Sequence, residues 1–224
     1  MSSVNIEIVK LEPRRMGEEV VLTVRICNGE HEQTEKLTVA SKMLFEIGNI
    51  GVDVLPYALT KESYDTLYYD ASIWEGVKKG IDLLSYGDNT KSQLITKLRQ
   101  RGFDRYISED AAEYICALGY IDERRMLENA VERLANVKLY GKSRIKSELY
   151  KKGFSRDVLS RDLSDMLCQV DFEENLKKLI RIKCDYSRLS ELKYRESLYA
   201  AMYRYGYSPS ETKAAIKATM DENE

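Results

Sequence analysis

Two periodicities divide the chain. Val4, Ile6 and Ile8 alternate with polar residues, and so do Val20, Leu22, Val24 and Ile26. Residues two apart share one face of a strand, so each run predicts a strand with one apolar face. Asn28-Gly29 follows, a pair that tolerates positive φ and predicts a type I′ hairpin turn. The run from Gln33 to Val39 then returns with Leu37 and Val39 inward. The expectation is a small antiparallel sheet of about three strands. Ser41 is placed to cap a short helix holding Met43, Leu44 and Ile47, with Gly48 to end it, and Gly51 and Pro56 mark a turn region. Thr60 is placed to cap the next helix. From Tyr64 the apolar positions Leu67, Tyr68, Ala71, Trp74, Val77, Ile81 and Leu84 recur at helical spacing, with Trp74 in the core. Gly76 and Gly80 interrupt that run and leave open whether it is one helix or two.

Beyond Trp74 a heptapeptide recurs. Leu98-Arg99-Gln100-Arg101-Gly102-Phe103-Asp104 returns as Leu149 to Ser155 around Gly153, and as Met202 to Ser208 around Gly206. Glycine suits the left-handed residue that ends a helix, and the aromatic after it can fold back on the apolar residue five positions earlier. That gives the pairs Leu98/Phe103, Leu149/Phe154 and Met202/Tyr207. The next residue, Asp104, Ser155 or Ser208, is a good N-cap for the helix that follows. Ser208-Pro209 with Glu211 reads as a full capping box. Leu94, Ile145 and Leu198 align at the same offset, as do Ser92 and Ser143.

Asp122 and Asp171 are placed to cap the opening helices of the second and third units, the latter with Glu174 as a capping box. Core positions follow: Ile107, Ala111, Ile115 and Leu118; Met126, Ala130, Leu134 and Val137; Val158, Leu159, Leu163 and Met166; Phe172, Leu176, Leu179 and Ile180; Ala215 and Ile216. The fold class expected is mostly α, a tandem array of three three-helix repeats preceded by a small N-terminal antiparallel β-sheet module. The segments are 1–59 (β-rich), 60–121 (connecting helix and first repeat), 122–170 (second repeat) and 171–224 (third repeat). Such units bury little alone and stack into an elongated array, whose long surface suits a polymeric target better than a small substrate.

Charge sharpens this division. Residues 1–72 hold 7 Lys and Arg against 12 Asp and Glu, whereas residues 73–224 hold 28 against 25. The overall net charge of −2 argues against a polycation that binds DNA nonspecifically. No apolar run approaches the ~18–20 residues that cross a bilayer, and the first residues carry neither a basic segment nor an apolar signal core, which predicts a cytoplasmic protein. Cys27, Cys116, Cys168 and Cys184 form no CxxC pair and read as buried small hydrophobes. With one histidine, His31, in the predicted hairpin, neither a metal site nor a Cys/His nucleophile is expected, nor a cofactor, and no glycine-rich phosphate loop is present. The reading is of a binding protein, not an enzyme.

The stretch Leu118-Gly119-Tyr120-Ile121-Asp122-Glu123-Arg124-Arg125-Met126, followed by Gly141-Lys142-Ser143-Arg144-Ile145-Lys146-Ser147-Glu148-Leu149-Tyr150-Lys151-Lys152-Gly153-Phe154, resembles the RecX family, bacterial regulators of the RecA recombinase. The likeness extends through Lys91-Ser92-Gln93-Leu94 and covers residues 74–220. Met126 stands where the family commonly has an aromatic, and Met202 replaces leucine in the third copy. The N-terminal sheet resembles an extension of longer members. The resemblance implies a monomeric, cytoplasmic, non-catalytic protein. Such a protein lodges in the groove of a RecA filament on single-stranded DNA and suppresses ATP hydrolysis, strand exchange and co-protease action. The alternative is a helix-turn-helix DNA-binding protein acting without RecA, which predicts steeply salt-dependent duplex binding.

Candidate contact residues come from charge density. Between Lys138 and Arg161 eight basic residues face only Glu148 and Asp157. Lys142, Arg144, Lys146, Lys151, Lys152 and Arg156 are the candidates there for RecA or DNA, with Lys142 and Lys146 one helical turn apart. A solvated helix face is the competing reading. In the third copy Tyr194, Tyr199, Tyr203, Tyr205 and Tyr207 interleave with Arg195 and Arg204, and Arg195, Tyr203 and Arg204 are the candidates. Such a stripe can stack on bases or form an interface hot spot, while some of its tyrosines must face the core.

Overall fold

The computed structural model describes residues 4–47, 50 and 52–221. The predicted helix stop at Gly48, the turn at Gly51 and the Ile47 side chain lie outside the described residues. The chain clusters into two compact units, residues 1–87 with 94–120, and residues 88–93 with 121–224.

The first unit opens with β1 (Asn5–Arg14), β2 (Glu19–Asn28) and β3 (His31–Ala40), and adds β4 (Tyr57–Leu59) on the far side of β1. The sheet is antiparallel with order β3-β2-β1-β4, so it has four strands where the alternation predicts about three. The fourth is three residues long and too short to show a period. A bulge between Ile8 and Lys10 switches the inward set from Ile6 and Ile8 to Leu11, which pairs with Leu22. The hairpin register corrects the predicted turn. Asn28 pairs with His31, so the two loop residues are Gly29 and Glu30, and of these only Gly29 has positive φ, at 62°. That is the requirement of a type II′ turn, not of I′. The short helix α1 (Ser41–Ile47) follows β3 directly, and the Ser41 hydroxyl donates to the Gly17 carbonyl instead of capping the helix.

The inner face of the sheet, with Ile8, Leu22, Val24 and Val39, closes on Leu67 and Ala71 of α2 (Lys61–Ser85). Thr60 caps α2 as expected, accepting from the Ser63 amide at 3.1 Å. Trp74 is core, and its indole N–H reaches the buried Glu19 carboxylate at 2.9 Å. Tyr68, one of the predicted apolar positions, is exposed. α2 is a single helix of 25 residues. Gly76 and Gly80 do not break it, because both are buried against α4 (Arg105–Ala117). A Cβ on Gly76 would stand 2.9 Å from Ala111 Cβ, and one on Gly80 would overlap the Ile115 side chain. The glycines therefore let α4 approach the α2 backbone, with Ala111 and Ile115 fully buried.

The helices after α2 turn at three corners of one geometry: α3 (Lys91–Gln100) into α4, α6 (Lys142–Lys151) into α7 (Arg156–Cys168), and α9 (Leu192–Tyr205) into α10 (Pro209–Asp221). Gly102, Gly153 and Gly206 have φ of 94°, 80° and 97°. At each, the aromatic amide bonds back to the apolar residue five earlier, Phe103 to Leu98 at 3.3 Å, Phe154 to Leu149 at 3.4 Å and Tyr207 to Met202 at 3.1 Å. These are the 6→1 bonds of a Schellman motif. The predicted caps are in place: Asp104 accepts from the Tyr106 amide at 2.8 Å and Ser155 from Val158 at 3.3 Å. Ser208 and Glu211 exchange bonds of 3.2 and 2.7 Å, a complete capping box.

The second unit also holds α5 (Glu123–Glu132) and α8 (Phe172–Lys183), capped by Asp122 and Asp171. Only half of the box predicted at α8 forms, because the Glu174 carboxylate pairs with Arg181 at 3.4 Å. Two predicted core positions are solvent-facing. Leu118, past the end of α4, is 51% exposed, and Val137 is 71% exposed. The cause at Val137 is a π-helical turn over Arg133–Val137, closed by Lys138 N to Arg133 O at 3.0 Å. One extra residue in the turn rotates the face, so Ala135 goes inside and Val137 outside. The buried Asn175 of α8 holds this turn through the Ala135 carbonyl at 3.2 Å. The cysteines are not the buried residues expected. Cys168 is exposed, and Cys27, Cys116 and Cys184 are half-buried.

The second and third corners are each met by the opening turn of an earlier helix. Thr90 Oγ1 and Ser92 Cβ lie 3.3 and 3.5 Å from where a Gly153 Cβ would be, while the Ser143 hydroxyl donates to the Gly206 carbonyl at 2.9 Å and the Gly141 amide to Tyr205 O at 2.8 Å. A Gly206 Cβ would also stand 3.0 Å from the Gly141 carbonyl. Gly206→Ala is therefore expected to lower the melting temperature clearly more than Gly102→Ala. A Cβ at Gly102 meets nothing, so that change costs only the left-handed backbone penalty of about 1–2 kcal/mol. Gly76→Ala gains helix propensity but overpacks α4, and a urea titration should show a net loss of about 1–3 kcal/mol. A stabilised Gly76→Ala protein would contradict this packing.

Candidate functional site

The basic run around α6 does not form one patch. Ile145 and Leu149 anchor the helix in the core, which fixes the direction of every other side chain on it. Lys142 and Lys146 emerge one turn apart on the side of α7. They border a cavity of about 320 Å³ walled by Leu159, Leu163 and Leu167, with the exposed Cys168 at one end. The Lys142 ammonium lies 5.3 Å over the Phe172 ring, and Lys146 has no carboxylate partner among the described residues.

On the opposite side of the helix Arg144 and Lys151 converge on Glu148, at 3.0 and 3.2 Å. Arg144 also stacks 5.4 Å over Tyr140, whose ring meets Tyr205 edge-on at 5.7 Å. Both cations are thus paired on Glu148, and Arg144 also packs at the Gly206 corner. Lys152 is half-buried and turns toward a separate cleft, and Arg156 is exposed at the start of α7.

Of the tyrosine stripe in the third copy only Tyr203 stands clear, 71% exposed, beside the exposed Arg204. Arg195 donates to the Leu189 carbonyl at 3.2 Å. Tyr194 accepts from the Asp185 amide at 2.6 Å beneath Arg188. Tyr205 packs on Tyr140 under Lys183, Tyr199 is half-buried, and Tyr207 is buried, as its place after Gly206 demands.

A second concavity escaped the sequence reading. At the Gly153 corner, wholly within the second unit, a cleft of about 370 Å³ is lined by Gln93, Met126, Asn129, Arg133, Lys152 and Phe154. Thr90 and Gln93 form a reciprocal capping box, with the Thr90 amide to Gln93 Oε1 at 3.1 Å and the Gln93 amide to Thr90 Oγ1 at 3.2 Å. That T-x-x-Q spacing was the available signal. Asp88 is the one carboxylate on the lining.

The titration shifts are structural in origin. Burial pushes the Cys184 thiol up, and burial also raises the Tyr207 phenol. Tyr69 is pushed up to about 12, chiefly by its bond to Asp110. None of these brings a group toward the poise near neutrality that acid–base work requires. Among the described residues no group of His, Cys, Asp and Glu is placed to hold a metal ion, and no helix is long and apolar enough to cross a membrane.

No family model matches the chain. A regulatory protein RecX from Mycobacterium sp. (strain KMS) is 30% identical over 132 residues, covering 57% of this chain and 72% of that protein. The RecX of Chlorobium phaeobacteroides is 28% identical over 143 residues, 63% of this chain and 89% of its own length. Against the RecX of Listeria innocua the match is 20% over 164 residues and spans only 61% of that relative. A crystal structure of a regulatory protein RecX superimposes with a TM-score of 0.64 over 95% of this chain and 99% of its own, at 17% identity, which shows a common fold. The Lactobacillus salivarius RecX structure gives 0.55 over 66% of this chain and 96% of its own. With 30% identity to the Mycobacterium protein over 72% of that protein's length, the chain belongs to the RecX family of regulatory proteins.

Proposed function

We propose that the chain is a non-enzymatic, cytoplasmic, monomeric regulator of the RecA recombinase. It binds the RecA filament on single-stranded DNA and inhibits ATP hydrolysis, strand exchange and co-protease action. We read the helices as three triplets, α2–α4, α5–α7 and α8–α10, over 60–121, 122–170 and 171–224, with residues 1–59 as an added β module. The observation that carries the reading is the lysine pair Lys142 and Lys146, held beside an apolar-walled groove and unmatched by carboxylates among the described residues, in a chain of this family. Free cations over an apolar floor suit an acidic protein surface, where complementary charge steers encounter and the buried floor holds the complex.

The test is RecA ATP turnover on single-stranded DNA, which should fall as the protein is added; unchanged turnover at saturation would reject the proposal. Lys142→Glu with Lys146→Glu is expected to raise the concentration needed for inhibition by roughly tenfold or more, with the melting temperature unchanged. Arg144→Ala should behave in the opposite way. It removes the stack on Tyr140 and the packing at Gly206, so the melting temperature falls while the folded fraction still inhibits. A Lys142/Lys146 double variant of undiminished potency would return those lysines to ordinary solvation.

A further inference from the structure

We propose that the cleft at the Gly153 corner is a nucleotide site that takes one nucleoside monophosphate unit. Its lining combines three chemistries within about 370 Å³, inside the ~300–1,000 Å³ range of small-molecule sites. Lys152 and Arg133 supply two cations without an ion-pair partner among the described residues, the donors that a phosphate calls for. Gln93 and Asn129 supply carboxamides. The Gln93 oxygen is taken by the Thr90 amide, which leaves its NH₂ to donate, and Asn129 is exposed with both amide atoms available. Carboxamides read base edges, which display donors and acceptors side by side. Met126 and Phe154 provide an apolar wall for a base.

The next corner shows what this junction looks like when filled. There the position of Gln93 is held by Arg144 and that of Lys152 by Tyr205, and the two side chains pack on Tyr140. Gly141 closes on Gly206 through backbone contact. At the Gly153 corner Thr90 Oγ1 and Ser92 Cβ lie 3.3 and 3.5 Å from where a Gly153 Cβ would be, and a polar opening is left beside them. An acidic peptide is a poorer occupant, because its carboxylates offer Asp88 no donor and leave the wall of Met126 and Phe154 uncovered. A nucleotide satisfies both, since its base covers that wall and an exocyclic amine of the base can donate to Asp88 while its phosphate stays at Lys152 and Arg133. The monophosphate unit can be a free nucleotide or one residue of a single strand. The second source deepens the proposed function, since such a strand lies inside the recombinase filament.

The experiment uses the whole isotopically labelled protein with no recombinase present, so its failure leaves the ATPase reading untouched. The side-chain amide signals of Gln93 and Asn129 are followed by NMR during titration with deoxyadenosine monophosphate, an oligodeoxyadenylate, and inorganic phosphate. Saturable shifts of both amides with the nucleotide assign a free ligand. Shifts with the oligonucleotide alone assign a strand. In either case Asn129→Ala and Lys152→Ala should each weaken binding about tenfold. If Lys152→Ala fails to fold, the exposed Asn129 variant decides. The proposal is overturned if neither nucleotide form moves these signals, if phosphate alone reproduces the whole pattern, or if the variants bind as the parent does.

Discussion

At each of the three repeated corners a residue in left-handed conformation ends one helix before the next begins, and glycine alone takes that shape without penalty. Once Gly153 and Gly206 are so placed, the aromatic that follows must fold back on Leu149 or Met202, and the cap must fall on Ser155 or Ser208. The corner thereby fixes the rotation of α6 about its own axis. Rotation in turn decides which lysines face solvent and which cations meet Glu148. The candidate surface is a consequence of backbone geometry several residues away from it.

The second unit shows why charge density alone misleads. Six cations cluster in the sequence between Lys142 and Arg156, yet one carboxylate, Glu148, engages two of them and leaves the pair at Lys142 and Lys146 on the other side of the helix. Arg144 is the instructive case. Its charge is matched and its guanidinium lies on an aromatic ring, so it contributes packing where a count of charges credits it with binding. The same division runs through the tyrosines, where Tyr205 and Tyr207 belong to the interior and Tyr203 to solvent.

Local rules made much of the helical part legible. The three glycine corners, the caps at Thr60, Asp104, Asp122, Ser155 and Ser208, and the burial of Trp74 all follow from interactions within a few residues or from strong apolar spacing. What escaped depends on distant partners or on departures from ideal period. The strand Tyr57–Leu59 exists only because β1 offers it an edge. The π turn over Arg133–Val137 breaks the 3.6-residue period that placed Val137 inside. Gly76 and Gly80 read as interruptions of a helix because the approaching α4 cannot be seen from α2. The cleft at Gly153 gathers Gln93, Asn129 and Lys152 from three segments, and no spacing rule connects them.

Under the proposed function, the α6–α7 side of the second unit, which carries Lys142 and Lys146, is the surface turned toward the recombinase. Electron cryomicroscopy of RecA filaments on single-stranded DNA with this protein added tests it most directly. The expected result is density for the second unit along the filament, with α6 and α7 at the contact and the two lysines against acidic side chains. Contact made through the N-terminal sheet, with α6 facing bulk solvent, would contradict it.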